Sequence, residues 1–339
     1  MKRSVTIKDV AQIAGVAHTT VSRVINKDSR ITQATCDRVR RAMKKLDYQP
    51  NLIARGLVRN RTQVIALIGP EVANFFLPII RSVAESSASR DYAMMLFSTN
   101  TWIKEAMSFE WVAQNWLVDG MLVYNLIHHP EVPPEIIKLK SRISPFVFIN
   151  KFLREPEMNA VGVDNYHAVN LAVEHLVALD HRRIGIFYGD VTSVDGFERK
   201  DAFEKALRKA GVPVDPSLEF CGMWRDEDAF KETLRMLEGD ARPTAIFCAN
   251  DIMAIGAMRA IREKGLSVPR DISLVGFDDL ETSRYIDVPL TTIRPPLADV
   301  GTRSVELLMD VLKDPTRPPQ QIALHAELIV RASTAKPAG

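Results

Sequence analysis

Four polar residues near the N-terminus have side chains and a spacing suited to contact with DNA. His18, Thr19, Ser22 and Arg23 share one face of a short helix, because residues four apart lie on the same side of an α-helix. Imidazole, hydroxyl and guanidinium groups can form hydrogen bonds with base edges and with phosphates. This spacing predicts a helix that reads the major groove of DNA.

A second group of polar residues stands at the ends of apolar stretches that read as strands. Asn150 closes F-V-F-I-N, Asn250 follows I-F-C-A, and Asp278 follows V-G-F. Ligands of open parallel sheets bind outside the carboxyl ends of the strands, so these side chains could meet in one cleft. Their amide and carboxylate groups suit a ligand that is rich in hydroxyls. The alternative roles are a helix cap for Asn250 and a turn for Asp278.

Catalytic and metal-binding patterns are missing from the sequence. It contains neither G-x-x-x-x-G-K-[ST] nor G-x-S-x-G, and no strand leads into G-x-G-x-x-G. None of the seven histidines has cysteine or carboxylate partners at metal-ligand spacing. We therefore expect no enzymatic activity, no catalytic residue, no metal and no cofactor.

Two short helices joined by Gly15 must position the first group of polar residues. Thr6 stands where an N-cap is expected, with Asp9 at the spacing of a capping box. Gly15 can adopt the left-handed conformation that ends a helix, and a second helix runs from about His18 to Asn26. The expected buried residues of the pair are Val10, Ile13, Ala14, Val21, Val24 and Ile25. This is the pattern of a helix-turn-helix.

The distribution of charge supports a DNA-binding role over that of an ordinary helical hairpin. Residues 1–60 contain 13 Lys and Arg and 4 Asp and Glu, a net charge of +9. The whole chain carries +2, so the remainder carries −7. A basic head on an acidic body is typical of a protein that binds DNA. A third helix, capped by Thr32 and ending near Leu46, should complete the core of this head with Val39, Ala42 and Met43.

From Val64 onward, apolar strands alternate with helices. This alternation occurs in two successive runs, and it predicts parallel sheets with helices on both faces. Strands are expected near 64–69, 92–98, 120–124, 146–150, 161–163, 183–188, 218–221, 245–249 and 273–277. Helices are expected near 77–90, 103–117, 134–140, 165–179, 196–210, 226–237 and 250–264.

Composition excludes several other classes of protein. The chain has 339 residues, of which 46% are hydrophobic and 25% charged, as in a soluble globular protein of two or three domains. No run of about 18 apolar residues is present, so no membrane span is expected. The basic N-terminus lacks the apolar stretch of a signal peptide, and the three cysteines are too few for a disulfide framework. A cytoplasmic protein is expected.

The stretch V-T-I-K-D-V-A-Q-I-A-G-V-A-H-T-T-V-S-R-V-I-N resembles the head of the lactose/galactose repressor family (LacI/GalR) of bacterial transcription regulators. The phrases V-E-H-L-V-A-L-D-H-R-R-I-G, A-N-D-I-M-A-I-G-A-M-R-A-I, V-G-F-D-D and P-L-T-T-I-R resemble its core, so the resemblance extends over residues 4–334. It implies an α/β fold with a small all-α helix-turn-helix head. Two doubly wound parallel-sheet lobes follow, forming the clamshell of periplasmic-binding proteins.

The resemblance also implies a domain order. Residues 1–50 would form the helix-turn-helix DNA-binding domain, 51–62 a hinge helix and linker, and 63–339 a two-lobed effector-binding and dimerisation domain. The first lobe would comprise about 63–160 plus 294–320, including a helix near 297–312. The second would comprise about 161–293 plus 321–334, including a last strand near 324–330. No leucine-heptad tail follows, and a two-fold homodimer on a pseudo-palindromic operator is expected.

By this resemblance His18, Thr19 and Arg23 read bases. Leu57 would enter the minor groove and bend the duplex, although packing on the core is the alternative. The implied DNA-contacting residues are Thr6, Ala17, His18, Thr19, Thr20, Ser22, Arg23, Asn26, Ala54, Arg55 and Leu57. Ala17 stands where the family usually has Ser, so this helix end lacks a side-chain cap worth about 1 kcal/mol.

The cleft between the lobes would bind a small effector, expected to be a sugar or a sugar derivative. The implied effector-binding residues are Phe75, Phe76, Asn150, Arg199, Trp224, Asn250 and Asp278, with Trp224 and either Phe75 or Phe76 as apolar walls. Three departures from the family leave the effector open: Asn150 replaces Asp, Ala202 replaces Gly, and Arg294-Pro295-Pro296 replaces Lys/Arg-Gln-Pro. Lys151 leaves room for an acidic or phosphorylated sugar.

Together these features predict a sequence-specific DNA-binding transcriptional regulator, and specifically a repressor, that a small effector controls. One alternative is a sugar-binding protein of the solute-binding type without operator function. A second is an enzyme built on the same two-lobed fold.

Overall fold

The computed structural model describes residues 5–25, 28–48, 61–69, 75–98, 118–124, 145–150, 158–239 and 242–338. The chain divides into two compact units, Met1–Gln63 and Val64–Gly339. The helices expected near 103–117 and 134–140, and the hinge helix expected within 51–62, lie outside the described residues. None of the described helices is long and apolar enough to span a membrane.

Three helices form the described part of the smaller unit, as the sequence predicts. They are α1 (Ile7–Ala14), α2 (His18–Ile25) and α3 (Gln33–Lys45). The backbone N–H and the hydroxyl of Thr6 both donate to the Asp9 carboxylate at 2.7 Å, which fixes the start of α1. Gly15 has φ +63°, the left-handed conformation that ends this helix.

The core of the smaller unit corrects one prediction. Its fully buried members include Val10, Val21 and Val39, but Ile13 is 46% exposed. The buried side of α1 is lined instead by Val10, Ala11 and Ala14, which fall at the three- and four-residue spacing of one helical stripe. Ile13 is adjacent to Ala14 in the sequence and therefore lies about 100° around the helix from it, outside this stripe.

The larger unit contains two six-stranded sheets. The first has the strand order β2-β1-β3-β4-β5-β11, and all its strand pairs are parallel. Its strands are β1 (Val64–Gly69), β2 (Ala93–Ser98), β3 (Gly120–Tyr124), β4 (Phe146–Ile149), β5 (Ala160–Val163) and β11 (Gln321–Leu324). Two described helices pack on it, α4 (Leu77–Ala88) and α9 (Leu297–Lys313).

The second sheet has the order β12-β10-β9-β8-β6-β7, and it is parallel except for β12, which runs antiparallel to β10. Its strands are β6 (Ile184–Tyr188), β7 (Glu219–Cys221), β8 (Ala245–Cys248), β9 (Ser273–Phe277), β10 (Thr291–Arg294) and β12 (Glu327–Ile329). The helices of this lobe are α5 (Asn165–Ala178), α6 (Val194–Lys209), α7 (Asp226–Glu238) and α8 (Asp251–Glu263).

The described chain crosses between the two sheets three times: between β5 and α5, between β10 and α9, and between β11 and β12. The predicted boundaries of the first lobe, after residues 160 and 320, therefore fall a few residues too early in the chain. Strands β5 and β11, which follow them, both belong to the first sheet. The single strand expected near 324–330 is replaced by two, β11 in the first sheet and β12 in the second. The apolar run of β5 leads directly into α5, so the sequence alone assigns both to the second lobe.

Gly276 offers a test of how tightly the second sheet packs against α8. A Cβ atom at this position would lie 2.2 Å from Asp251 Oδ1 and 2.7 Å from Leu290 Cδ2. The Asp251 carboxylate cannot move freely, because it accepts hydrogen bonds from Leu280 N–H at 2.8 Å and from Ser283 Oγ at 2.6 Å.

We expect Gly276→Ala to destabilise the larger unit by about 1–3 kcal/mol through overpacking, measured as a lower thermal unfolding midpoint. Gly239→Ala is the matched control, since the nearest atom to its Cβ would be Met236 O at 3.5 Å. Equal midpoints for the two variants would show that β9 and α8 pack less closely than the distances at Gly276 indicate.

Candidate functional site

The exposed face of α2 carries the residues that the sequence singled out for DNA contact. Ala17, His18, Thr19 and Arg23 are exposed, and Thr6 is exposed at the start of α1. Thr20 and Ser22 are partly exposed. The opposite face of α2 is anchored by the buried Val21 and Val24. The predicted DNA-contacting residues Asn26, Ala54, Arg55 and Leu57 lie outside the described residues.

Helix α3 adds an exposed basic surface to the same unit. Its exposed cations are Arg38, Arg40, Arg41, Lys44 and Lys45. Arg40 lies 3.7 Å from the Asp37 carboxylate, and Arg41 Nε donates to the Asp37 carbonyl at 3.3 Å. These pairings at the surface are weak, so they leave the positive charge of the helix available.

In the larger unit, the buried guanidinium of Arg199 is the centre of a polar network at the carboxyl ends of the second-sheet strands. Its Nε donates to Asn165 Oδ1 at 3.1 Å, and its Nη1 donates to the Ala249 carbonyl. Its Cζ lies 3.6 Å from the centre of the Phe277 ring and 5.6 Å from that of Trp224. A buried cation requires such hydrogen bonds and aromatic faces to offset its lost hydration.

Three carboxyl groups surround this guanidinium. Asp195 and Asp278 each have an oxygen 4.0 Å from an Arg199 nitrogen. Asn165 Nδ2 donates to Asp195 at 3.0 Å and to Glu198 at 2.8 Å, so it links the acids of α6 to one another. Asp195, Glu198 and Arg199 share one face of α6 because they are spaced by three and four residues.

Burial raises the pKa of two of these acids. The pKa of Asp278 is raised to about 8 by burial, although Arg199 opposes the rise. The pKa of Glu198 is raised to about 7, again mainly by burial, while the hydrogen bond from Asn165 opposes it. At neutral pH the Asp278 carboxyl is therefore mostly protonated and can donate as well as accept a hydrogen bond.

The backbone that holds Asp278 is in a strained conformation that a neighbouring aspartate secures. Asp278 and Asp279 have φ +111° and +50°, which non-glycine residues rarely adopt. The Asp279 carboxylate accepts from Arg294 Nε at 2.7 Å, from Arg284 Nη2 at 3.1 Å and from Arg331. Two adjacent aspartates thus differ completely: one carboxylate is held by three arginines, and the other faces Arg199.

Asn150 reaches this network from the first sheet. It follows β4 with φ +56° and is 8% exposed. Its Nδ2 lies 3.3 Å from Asp195 Oδ2, in the other lobe, and 3.4 Å from Tyr124 Oη. The amide that replaces the acid expected from the family therefore forms a hydrogen bond between the lobes, where a carboxylate would repel Asp195.

The aromatic residues of the predicted cleft occupy different environments. Phe76 is fully buried, with its ring centre 4.5 Å from that of Tyr124, so its side chain belongs to the core. Phe75 is half-buried, and together with Asp278 it lines a groove of about 1160 Å³ between the lobes. Trp224 lies on Gly189, where a Cβ atom would be 2.0 Å from its ring.

Asn250 has the structural role that was the alternative to ligand binding. Its Oδ1 accepts from Met253 N–H at 2.8 Å, which caps α8, and its Nδ2 donates to the Trp224 carbonyl at 3.3 Å. The side chain therefore also holds the loop that carries Trp224, and one lone pair of its oxygen remains for a ligand.

Several residues of this network were not predicted from the sequence. They are Tyr124, Asn165, Asp195, Glu198 and Phe277. The acids could have been found from their spacing relative to Arg199 on one helix. Asn165 gives no such signal, because its contact with α6 depends on how two helices pack.

Comparisons with known proteins agree with both parts of this description. Residues 6–51 match the family described as bacterial regulatory proteins, lacI family, and residues 173–334 match the periplasmic binding protein-like domain. The HTH-type transcriptional repressor PurR of Pasteurella multocida (strain Pm70) is 34% identical over 331 residues, covering 97% of this chain and 98% of that protein. The PurR repressor of Mannheimia succiniciproducens is 36% identical over 333 residues, covering 98% and 99%.

The chain belongs to the LacI family of bacterial regulatory proteins. Solved structures of the family have the same fold: the lac repressor dimer bound to operator and the anti-inducer ONPF matches with a TM-score of 0.87 and 30% identity, covering 98% of this chain and 100% of that one. A CelR–cellobiose complex matches with a TM-score of 0.73 and 28% identity, covering 97% and 100%.

The protein is thus a DNA-binding transcriptional regulator of the LacI family, and its relatives are repressors. Its larger unit is a binding domain joined to a helix-turn-helix head, so the alternative of a solute-binding protein without operator function is excluded.

The raised pKa of Asp278 predicts how stability depends on pH. In the unfolded chain this carboxyl has its ordinary pKa of 3.8, and in the folded protein its pKa is about 8. The folded state therefore binds the proton more tightly, and stability is lost as pH rises from about 4 towards 8. We expect Asp278→Asn to remove that loss, so that the variant gains up to about 4 kcal/mol relative to wild type between pH 5 and pH 8.5.

Thermal unfolding midpoints at the two pH values measure this difference. Asp287→Asn, at an exposed residue paired with Arg262, is the control and should follow wild type at both pH values. Parallel pH profiles for wild type and Asp278→Asn would mean that Asp278 is ionised across this range.

Proposed function

We propose that this regulator binds a pseudo-palindromic operator as a homodimer, and that a sugar or sugar derivative bound between the lobes controls that binding. The observation that carries the effector part is the polar network around Arg199, which Asn150 joins from the other lobe. A ligand in contact with both lobes favours one lobe arrangement over another. It can therefore shift the conformational equilibrium by its difference in affinity.

For DNA, we assign base contacts to His18, Thr19 and Arg23, which are exposed on α2. Thr6, Ala17, Thr20, Ser22 and Asn26 would adjoin the DNA backbone around this helix. Ala54, Arg55 and Leu57 would act at the operator centre, where an inserted leucine bends the duplex. The net charge of +9 on residues 1–60 supports phosphate contacts as the main source of affinity, with a steep dependence on salt.

For the effector, we assign direct contacts to Arg199, Asn150, Asn250 and Asp278, with Trp224 and Phe75 as apolar walls. Amides, a guanidinium and a carboxyl can satisfy hydroxyls as both donors and acceptors, and aromatic faces suit the C–H side of a sugar ring. Phe76 is a less suitable wall, because it is fully buried. Coupling between cleft and operator would be worth about 1–3 kcal/mol.

Two further properties are part of the proposal. A homodimer is supported by the similarity to the lac repressor dimer bound to operator and by the need of two heads for two half-sites. We also infer that the protein is not an enzyme and acts in the cytoplasm, since its relatives are transcriptional repressors. Within the chain we assign DNA binding to 1–50, the hinge to 51–62 and effector binding with dimerisation to 63–339.

The base-reading role of Arg23 can be tested once an operator has been selected from a random duplex library. Arg23→Ala should weaken binding to that operator by about 1–3 kcal/mol, because a bidentate base contact is lost, with a smaller effect on random DNA. Lys44→Ala, at an exposed residue of α3, should weaken both equally. Fluorescence anisotropy measures the ratio, and an unchanged ratio in Arg23→Ala would remove this residue from base recognition.

The effector role of Arg199 can be tested with a thermal-shift screen against sugars, since a ligand that binds only the folded state raises the unfolding midpoint. Arg199→Ala should abolish the shift, because the buried guanidinium organises the site. Arg208→Ala is the control on the same helix, with its side chain 59% exposed, and it should keep the shift. A shift that survives in Arg199→Ala would place the ligand elsewhere.

A further inference from the structure

The second-lobe wall of the effector cleft carries more acids than bases. Among the described residues, Asp195, Glu198 and Asp278 face a single cation, Arg199. Behind them, the fully buried Asp251 adds another acid on α8, close enough to raise the pKa of Asp278 further. Tyr124 of β3, a titratable group that also faces this wall, is neutral because burial raises its pKa far above the ordinary value.

Arg199 makes no hydrogen bond to these acids, and part of its hydrogen-bonding capacity is used elsewhere. Its Nε and Nη1 already donate to Asn165 and to the Ala249 carbonyl. Its distances of 4.0 Å to Asp195 and Asp278 are too long for hydrogen bonds. An anionic ligand would thus meet three carboxyl groups and a single cation.

Asp278 is the acid most available to a ligand. Among the described residues no hydrogen-bond donor reaches its carboxyl group, whereas Asp195 and Glu198 accept from Asn165. Asp278 also lines the interlobe groove together with Phe75. The Asp278 side chain is 14% exposed, and a cation in this groove would gain an ion pair with its carboxyl group.

We propose that the effector is a sugar-like ring bearing a protonated amino group, which pairs with Asp278 in the cleft. This inference rests on the proposed function and narrows its ligand class. An ammonium supplies the countercharge that the wall lacks, whereas a carboxylate or phosphate on the sugar opposes it. Lys151, which in the sequence leaves room for an acidic or phosphorylated sugar, lies outside the described residues.

Ligand binding should therefore be coupled to proton release. A bound ammonium favours the charged forms of Asp278 and Glu198 and lowers the pKa of each. Those pKa values are about 8 and 7 without ligand, so affinity for the amine should rise between pH 6 and pH 8 while the amine stays protonated. The other charged groups facing this pair are Asp164, Asp195, Arg199 and Asp251.

The test is a thermal-shift and calorimetric comparison of matched probes on the full chain. Glucosamine and 6-amino-6-deoxyglucose carry an amine at two ring positions. Glucose and N-acetylglucosamine are neutral, glucuronate and glucose 6-phosphate are anionic, and cyclohexylamine is a cation without hydroxyls. We expect at least one amino sugar to bind about tenfold or more tightly than glucose at pH 7, equivalent to about 1.4 kcal/mol.

Variants locate the charge that selects the amine. Asp278→Asn should reduce the preference for the amino sugar over glucose to within about threefold. It should also weaken the pH dependence of binding, leaving the part that Glu198 contributes. Asp287→Asn makes the same change at an exposed residue of the same lobe, and it should keep the full preference. An amino-sugar preference that survives in Asp278→Asn would overturn the assignment to this carboxyl.

The failures of this inference and of the proposed function are distinguishable. One outcome is that glucuronate or glucose 6-phosphate binds more tightly than glucose, and another is that only neutral sugars bind. In either case the inference of a cationic effector is wrong, and the proposal of a sugar effector is retained. If cyclohexylamine binds and no sugar does, the inference of a cationic effector is retained and the proposal of a sugar effector is wrong. If none of the probes binds, both are wrong.

Discussion

The burial of one guanidinium at the carboxyl ends of the second-sheet strands organises the proposed effector cleft. A cation removed from water is stable only if hydrogen bonds and opposite charges replace its hydration. Asn165, the Ala249 carbonyl and the rings of Phe277 and Trp224 do this for Arg199. Each comes from a different segment: Asn165 begins α5, and the others lie at the carboxyl ends of the second-sheet strands. The cation therefore fixes these segments relative to one another.

The same network explains why two adjacent aspartates differ. Asp279 ties the segment after β9 to three arginines, and this anchoring maintains the positive φ angles that direct Asp278 towards Arg199. Asn150 then brings the first lobe into contact with Asp195. In the proposed function, ligand recognition and the relation between the lobes involve the same few side chains, so a bound effector would act directly on the lobe arrangement.

Local patterns in the sequence were sufficient for much of the fold. The cap at Thr6, the left-handed Gly15 and the alternation of strands and helices are consequences of short-range sterics and hydrophobic periodicity. Strand pairing is a long-range property, which explains why β5 and β11 were assigned to the wrong lobe. Arg199 was found from its position after a strand, whereas Asn165 was not, because no local pattern shows which helices pack together.

If the proposed function is right, occupation of the cleft changes the affinity of the head for its operator. Fluorescence anisotropy of the full-length protein on its selected operator would be recorded with and without a saturating amount of the sugar that gives the largest thermal shift. If the cleft controls the head, operator affinity changes by about 5- to 150-fold, the range expected for an allosteric coupling energy. Equal operator affinity with the cleft empty and occupied would contradict control of the head by the cleft.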